Sequence, residues 1–370
     1  MFSKALKKLA RLGLIVLVVS VLLAVGALLF IKYYPGFGDV PSEESRKIFA
    51  KKTSLYEKRQ FKNETYYKMM TGTQSEPNSM RIPKNKLPIQ KIVAVEQAGP
   101  GELKIIWLGH SSILLQMGSR NILIDPVMSN RCSPVGFAGP KRFADPPLAT
   151  ENMPPIDVLF ISHDHYDHLD YQTIKNIDSK VKDYIVPLGV DAVLRGWGVS
   201  TSKIHTMYWW ENIELDGVRY TLTPAKHFSG RDPFNLNSTL WGGIYIEDQA
   251  HKVYYTGDTG YYEIFSEIYR RFGKTDVMLA DSAQYDMGWA ETHMFPEQAV
   301  QAAADAHAEW LIPVHWGVFS LSNHAWNEPP RRVAEAARDQ RINLATPRIG
   351  QIVDYRNIGL FNELWWEKWE

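Results

Sequence analysis

The sequence contains little that would cross-link the chain or attract a highly charged partner. Its single cysteine, Cys132, excludes an intrachain disulfide bond. Lysine plus arginine and aspartate plus glutamate number 41 each, so the formal net charge is zero. Proteins that bind nucleic acids usually carry a strong basic excess or a basic stripe. Because the sequence has neither feature, and has no internal repeat or low-complexity run, it disfavours a nucleic-acid partner.

Long apolar runs are equally scarce, and the one that stands out lies near the N-terminus. Residues 12 to 31 carry no charge, and a helix that rises about 1.5 Å per residue spans roughly 30 Å over that length, the thickness of a bilayer core. Residues 32 to 34, a lysine and two tyrosines, supply an interfacial belt. A cleaved signal peptide is the alternative, but the apolar run continues past residues 25 to 27, which make a poor cleavage site. The pattern predicts an uncleaved, single-pass membrane anchor over residues 1 to 34.

The charges that flank this run predict its orientation. Four basic residues precede it: Lys4, Lys7, Lys8 and Arg11. Since positive residues stay on the cytoplasmic side of a membrane, we expect a cytoplasmic N-terminus, with the chain that follows the run outside the cytoplasm. Further positive charge between residues 46 and 52 weakens the asymmetry.

The rest of the chain divides into two further regions. Residues 35 to 100 are polar and predict a connecting region, whereas residues 101 to 370 alternate short apolar strands with helical spacing. With 45% hydrophobic residues, the chain can bury a sizeable core. The pattern predicts an α/β domain.

The most informative stretch is the hexapeptide His163-Asp164-His165-Tyr166-Asp167-His168. It follows Val158-Leu159-Phe160-Ile161, an apolar run that predicts a buried strand. Two imidazoles one residue apart can reach one metal ion, which leaves the last carboxylate and imidazole of the hexapeptide for a second. Mixed nitrogen and oxygen ligands suit zinc, with iron or manganese as alternatives. An ordinary polar loop rarely contains three histidines and two aspartates in six residues.

Two metal ions need more ligands than this loop holds. His227, Asp258 and His315 each follow an apolar segment that predicts a strand. Each residue alone fits an ordinary loop position. Together, at the ends of successive strands, they complete the ligand set of a two-metal site.

This arrangement resembles the metallo-β-lactamase superfamily, and within it the N-acylphosphatidylethanolamine-hydrolysing phospholipase D family. The resemblance covers about residues 102 to 348. Besides the hexapeptide, it depends on these motifs: Trp107-Leu108-Gly109-His110, Ile124-Asp125-Pro126, Gly139-Pro140-Lys141-Arg142-Phe143, Pro154-Pro155-Ile156-Asp157, Val186-Pro187-Leu188-Gly189, Trp209-Trp210-Glu211, Gly257-Asp258-Thr259-Gly260-Tyr261 and His315-Trp316-Gly317. It implies a four-layer αββα sandwich.

The resemblance also implies roles for the ligand residues. His163, His165 and His227 would hold the first metal ion, and Asp167, His168 and His315 the second. Asp258 would bridge the two ions. Two zinc ions are expected, and together they would activate a water molecule. Asp167 and Asp258 are therefore expected to be catalytic as well as metal-binding.

Other residues are expected to support this chemistry. His293 resembles a histidine that the family uses near the phosphate, and a loop residue ahead of a helix is the alternative. Asp125 is expected to hold a ligand histidine in place, although a turn at the end of a strand is equally consistent. Tyr166, Trp209 and Trp210 are candidate substrate contacts. Another histidine of the motifs, His110, is expected to be structural. The tryptophan-rich tail at residues 364 to 369 is expected to pack in the core or between protomers of a homodimer, with a lipid interface as the alternative.

The implied reaction is hydrolysis of N-acylphosphatidylethanolamine to phosphatidic acid and an N-acylethanolamine. A membrane phospholipid and the bilayer itself would then be the partners. A lactonase or another hydrolase of soluble esters is the first alternative. A metal-binding scaffold without turnover is the second, and the complete ligand set disfavours it.

Overall fold

A computed structural model describes residues 2 to 369, which form seven α-helices and fifteen strands. The helices are α1 (Phe2–Tyr33), α2 (Glu43–Lys52), α3 (Tyr171–Ile177), α4 (Val190–Gly196), α5 (Ile264–Phe272), α6 (Pro296–Asp305) and α7 (Glu328–Gln340). The strands are β1 (Tyr56–Glu57), β2 (Gln60–Phe61), β3 (Leu103–Gly109), β4 (Ser112–Met117), β5 (Arg120–Ile124), β6 (Ile156–Phe160), β7 (Val181–Pro187), β8 (Ile204–Met207), β9 (Asn212–Leu215), β10 (Val218–Thr223), β11 (Gly243–Glu247), β12 (Lys252–Tyr255), β13 (Thr275–Asp281), β14 (Ala308–Val314) and β15 (Ile352–Asp354).

Two mixed sheets form the centre of the molecule. The first has the strand order β15-β3-β4-β5-β6-β7-β8, and the second has the order β14-β13-β12-β11-β10-β9. Each sheet has antiparallel pairs on one side and parallel pairs on the other. The parallel pairs run from β5 to β8 in the first sheet and from β12 to β14 in the second. Parallel neighbours need crossover connections; α3, α4, α5 and α6 provide four of them, and the long loop between β5 and β6 provides the fifth. The parallel strands of each sheet therefore end at a common edge.

The pleat of each strand divides its side chains between two apolar layers. In β3, Ile105 and Trp107 join the large cluster between the sheets, whereas Ile106 and Leu108 join a cluster beneath α3 and α4. A third cluster lies between the second sheet and α5, α6 and α7. The layers therefore run helix, sheet, sheet, helix, which confirms the predicted αββα sandwich.

The first helix is apolar and lies apart from the sandwich. Every side chain from Leu6 to Phe30 is exposed. The stretch Leu6–Tyr33 is long and apolar enough to cross a membrane, although a signal sequence can share that length and composition. The predicted helix is confirmed, while its role as an anchor and its orientation stay predictions.

Residues 35 to 100 pack more closely than a polar linker would. They contribute α2 and the short hairpin of β1 and β2, and three of their aromatic rings join the core between the sheets: Phe49, Tyr56 and Phe61. The ring centroids of Tyr56 and Phe61 lie 4.6 Å apart. The division of the chain at residue 101 stays a prediction.

The tryptophan-rich tail packs in the core. Trp365 and Trp366 have no exposed surface, and the Trp365 ring stacks on Trp316 with centroids 5.4 Å apart. The sequence left packing and a lipid interface as alternatives for the tail, and the structure places these two indoles in the core. The homodimer stays a prediction.

Candidate metal centre

The ligand loop begins where β6 ends. Strand β6 lies between β5 and β7 in the parallel part of the first sheet, so its carboxyl end opens at the common edge. Ile161 and Ser162 continue the strand direction, and the hexapeptide then turns at this edge with His163 and His168 buried. The three other candidate ligands follow β10, β12 and β14 of the facing sheet. The fold thus brings four separate strand ends to one place.

Three imidazoles form the first group. The Nδ1 atom of His165 lies 2.8 Å from His163 Nε2 and 3.4 Å from His227 Nε2. Facing ring nitrogens at this spacing can converge on one cation. These three residues are the ones assigned to the first metal ion from the sequence.

The second group surrounds Asp167. Its Oδ2 atom lies 3.4 Å from His168 Nε2 and 2.9 Å from His110 Nε2. The His315 ring stacks on His168 with centroids 5.2 Å apart. His110, expected to be structural, therefore lies inside this group, together with the three residues assigned to the second ion.

Asp258 lies between the two groups. Its Oδ2 atom is 3.0 Å from His168 Nε2, 3.7 Å from His227 Nε2 and 3.8 Å from His163 Nε2. Its Oδ1 atom is 3.2 Å from His315 Nδ1. One carboxylate thus faces ligands of both groups.

The donor set fits divalent cations. Within the described residues, Asp258 Oδ1 and His168 Nε2 are buried and make no hydrogen bond. Buried polar atoms are normally paired, and unpaired ones call for an ion or another partner. Five imidazoles and two carboxylates on one small surface are typical ligands of zinc, iron and manganese.

Burial controls the charges of this cluster. It lowers the pKa of His163, His227 and His315 well below the usual value for histidine, helped by neighbouring histidines. A neutral imidazole is the form that binds a metal ion. Burial also raises the pKa of Asp258 to about 6, against the opposing effect of His168.

Burial opposes the charged forms of Asp167 and His168, but their partners outweigh it. The pKa of Asp167 is held well below its usual value by His168 and His110. The pKa of His168 is raised well above its usual value by three carboxylates, led by Asp258. A carboxylate buried this deeply needs a cationic partner.

Asp125 supports the ligand loop from behind. Its Oδ2 atom accepts hydrogen bonds from His168 Nδ1 at 2.8 Å, Tyr255 Oη at 2.7 Å and Ser162 Oγ at 2.5 Å. Its Oδ1 atom accepts one from the backbone N–H of Ser162 at 2.7 Å. A carboxylate on the far nitrogen of a ligand imidazole fixes the tautomer and orientation of the ring.

His293 lies beside the cluster. Its Nδ1 atom is 3.0 Å from Asp281 Oδ2 and 4.0 Å from Asp258 Oδ2, and its ring stacks on His315 with centroids 5.1 Å apart. Burial lowers the pKa of His293, but Asp281 outweighs this effect and the net shift is upward. His293 thus lies ahead of α6, as both alternatives from the sequence require, and also beside the cluster; its role at the phosphate stays a prediction.

Sequence reasoning missed two supporting residues, Asp281 and Asn63, and the contact that His110 makes with Asp167. His110 contacts Asp167 as described, and Asp281 holds His293. Asn63, from the connecting region, donates its Nδ2 hydrogen to the His227 carbonyl oxygen at 2.8 Å and accepts from the His227 N–H at 3.1 Å. His110 and Asp281 both lie at strand ends, and the same position in the sequence had identified three of the candidate ligands. No sequence pattern points to Asn63.

The three candidate substrate contacts lie outside the two groups of ligands. Tyr166 donates its hydroxyl to the Arg231 carbonyl oxygen, and the Arg231 guanidinium lies 4.2 Å from the Tyr166 ring centroid. Trp209 is 4% exposed and donates its indole N–H to the Trp241 carbonyl oxygen. The Arg271 guanidinium lies over the Trp210 ring, 3.9 Å from the ring centroid. Trp209 thus lies in the core, whereas Trp210 is only partly buried, and substrate contact by either indole stays a prediction.

Comparison with known sequences links this centre to a large group of proteins. The β-lactamase superfamily domain matches residues 120 to 316. An uncharacterized protein of Mycobacterium tuberculosis is 40% identical over 256 residues, which cover 68% of this chain and 68% of the relative. An N-acyl-phosphatidylethanolamine-hydrolyzing phospholipase D of Caenorhabditis elegans is 29% identical over 287 residues, which cover 74% of this chain and 80% of the relative.

Comparison with solved structures supports the same fold. The metallo hydrolase Igni18 of the archaeon Ignicoccus hospitalis superposes with a TM-score of 0.54 at 19% identity, covering 68% of this chain and 98% of its own. At this identity the likeness concerns the fold alone.

Proposed function

Since this chain belongs to the metallo-β-lactamase superfamily, we propose that it is a metal-dependent hydrolase, and specifically a binuclear phosphodiesterase that cleaves a membrane phospholipid on its headgroup side. The observation that carries the proposal is that Asp258 faces candidate ligands of both groups: His163 and His227 of the first, and His168 and His315 of the second. The phospholipase relative, aligned over most of both chains, supports N-acylphosphatidylethanolamine as the substrate and phosphatidic acid and an N-acylethanolamine as the products.

Six of the seven ligands would each serve one of two ions, and the seventh would serve both. His163, His165 and His227 would hold the first, and Asp167, His168 and His315 the second, with Asp258 shared between them. Zinc is the proposed metal, and two such cations supply water activation and charge neutralisation at the phosphate.

The remaining polar residues orient this set. Asp125 keeps the His168 ring aligned by accepting a hydrogen bond from His168 Nδ1. His110 contacts the Asp167 carboxylate and so orients it within the second group. His293 has its Nδ1 atom engaged by Asp281, so we assign its Nε2 atom to hydrogen bonding with the phosphoryl oxygens or the departing alcohol. His293 therefore belongs to the catalytic machinery without being a ligand.

Product analysis tests the proposed reaction. Purified protein incubated with N-acylphosphatidylethanolamine in ¹⁸O-water is expected to release phosphatidic acid that carries the label, because water attacks phosphorus, together with unlabelled N-acylethanolamine. Mass spectrometry of the lipid extract measures both. Protein treated with a chelator is the control, and added zinc should restore turnover. Diacylglycerol or free fatty acid as the product contradicts the bond assignment, and cleavage of a lactone but of no phospholipid contradicts the lipid substrate.

We also propose that α1 is a retained anchor and that the catalytic domain lies outside the cytoplasm. The apolar, exposed helix and its basic N-terminal flank support this orientation. Alkaline phosphatase joined to the C-terminus is expected to be active in a bacterial host, since that reporter folds only outside the cytoplasm, and the purified chain should retain its N-terminus by mass. A fluorescent protein that folds in the cytoplasm is the matched control. A mature chain that begins after Ala27 would exclude the anchor, and an inactive phosphatase fusion would exclude the orientation.

A further inference from the structure

The chain leaves α1 without a flexible spacer. The Phe37 ring lies 5.9 Å from the Phe30 ring, so residues 35 to 37 fold back against the end of the helix. Gly36 passes so close to the catalytic domain that a Cβ atom on it would lie 2.1 Å from the Pro134 carbonyl oxygen. The turn that follows α1 is therefore packed both on the end of the helix and on the loop that contains Pro134.

A buried arginine joins this turn to the ligand loop. Arg231 is 6% exposed, and its guanidinium donates to the carbonyl oxygens of Gly36 at 2.8 Å and Phe37 at 2.9 Å. The same group donates to the carbonyl oxygens of Asp164 at 2.7 Å and Leu169 at 2.8 Å. A planar guanidinium has its donors in a fixed geometry, so the position of the anchor is transmitted to the loop that carries the ligands.

Exposed apolar side chains flank the same turn. Phe137, in the loop that contacts Gly36, is 79% exposed, and Phe234 and Leu236, on the segment after Arg231, are 67% and 40% exposed. A groove of about 550 Å³ separates this second segment from the end of α1 and is lined by Leu28, Ile31, Lys32, Val40, Phe234 and Asn235. Single exposed apolar residues are common, but a cluster beside an apolar helix marks an interaction surface.

We propose that residues 134 to 137 and 232 to 236 form a membrane-docking surface that lies in the headgroup layer of the bilayer crossed by α1. This proposal rests on the anchor proposed above. The charge-free run ends at Ile31, which fixes the level of the bilayer surface, and the two segments lie next to the residues that follow it. Aromatic side chains favour that layer. Asp39 and Asp232 also line the groove, and their carboxylates limit the depth of insertion to the headgroups.

The docking surface would present the metal centre to lipid in a fixed orientation. Arg231 connects the turn at residues 35 to 37 with the backbone of the ligand loop, so a headgroup in the adjacent leaflet would approach the same edge of the sheets each time. A flexible tether would instead allow the domain to rotate freely above the membrane.

Site-specific fluorescence quenching tests the surface. In a full-length Cys132→Ser background, single cysteines at Phe137→Cys and Phe234→Cys are labelled with an environment-sensitive dye. Each protein is then reconstituted into phosphatidylcholine and phosphatidylglycerol vesicles that contain nitroxide lipids. Two controls bracket the result. Leu22→Cys, at the middle of the charge-free run and therefore read with a nitroxide deep on the acyl chain, reports α1 itself. Leu360→Cys, 78% exposed and close after the edge strand β15, reports solvent.

The expected result is at least twofold quenching by a nitroxide near the headgroup at both phenylalanine positions, and none at Leu360→Cys. Quenching at Leu22→Cys alone overturns the docking surface while leaving the anchor intact. No quenching at Leu22→Cys removes the anchor and the surface together. A blue shift at Phe137→Cys and Phe234→Cys without quenching assigns the surface to a second copy of the chain and also overturns the proposal. None of these readings depends on turnover, so failure of the phospholipase proposal is detected separately.

Discussion

Replacing Asp258 by asparagine is expected to abolish hydrolase turnover and to reduce the metal content from two ions per chain. The carboxylate faces His168 through Oδ2 at 3.0 Å and His315 through Oδ1 at 3.2 Å. Asparagine keeps the shape but removes the negative charge and one of the two oxygen ligands. Since loss of a residue that only supports a ligand costs about 10-fold to 100-fold, loss of the shared ligand should cost more than about 100-fold. Elemental analysis of the dialysed protein and kcat measured with saturating substrate check both parts.

Two further variants make the result specific. Asp125→Asn removes no ligand but weakens the hydrogen bonds that Asp125 accepts from His168, Ser162 and Tyr255, and the loss of turnover should fall in the range of about 10-fold to 100-fold. Asp216→Asn makes the same chemical change on an exposed turn, where the carboxylate pairs with Lys182 at 2.6 Å, and should leave turnover unchanged. The thermal unfolding midpoint of all three variants shows whether the fold survives. An Asp258→Asn protein that keeps both ions and wild-type turnover would rule out the shared-ligand role.

Removal of residues 1 to 34 is expected to slow hydrolysis of phospholipid in vesicles by about 100-fold while leaving hydrolysis of detergent-dispersed phospholipid unchanged. An anchor raises the effective concentration of the enzyme at the membrane by about 10² to 10⁴ without altering the chemistry. The truncation leaves Pro35, Gly36 and Phe37 in place, so the hydrogen bonds from Arg231 that support the ligand loop can still form. Initial rates on the two substrate forms, expressed as a ratio, isolate the effect of the anchor.

A chimaera provides the matched control for this truncation. An unrelated apolar helix of equal length, joined ahead of Pro35, should restore the vesicle rate, because only the hydrophobic length matters for anchoring. Equal losses on vesicles and on detergent-dispersed lipid would indicate damage to the catalytic domain. Equal rates of the truncated and intact proteins on vesicles would contradict the role of α1.

Local sequence patterns determined much of the fold and of the candidate centre. Helix α3 is favoured by signals that act over a single turn, such as the capping residue Asp170, which accepts from the Thr173 N–H. The ligand loop could be found because its three histidines and two aspartates lie in six consecutive residues after an apolar strand. His227, Asp258 and His315 could be found because each ends such a strand, and the edge of a sheet is where strand-end residues meet.

The tertiary structure alone decided which distant groups face each other. His110 became a neighbour of Asp167 because β3 and the ligand loop meet at the sheet edge. Asn63 reached the backbone of His227 because the connecting region folds over the second sheet. The burial of Trp209 and the partial exposure of Trp210 likewise depend on what packs against each indole, which the sequence does not show. The sequence by itself thus determined residue types, periodicity and local ligand spacing, whereas contacts between segments far apart in the chain depend on the packing of the two sheets and could be read only from the folded molecule.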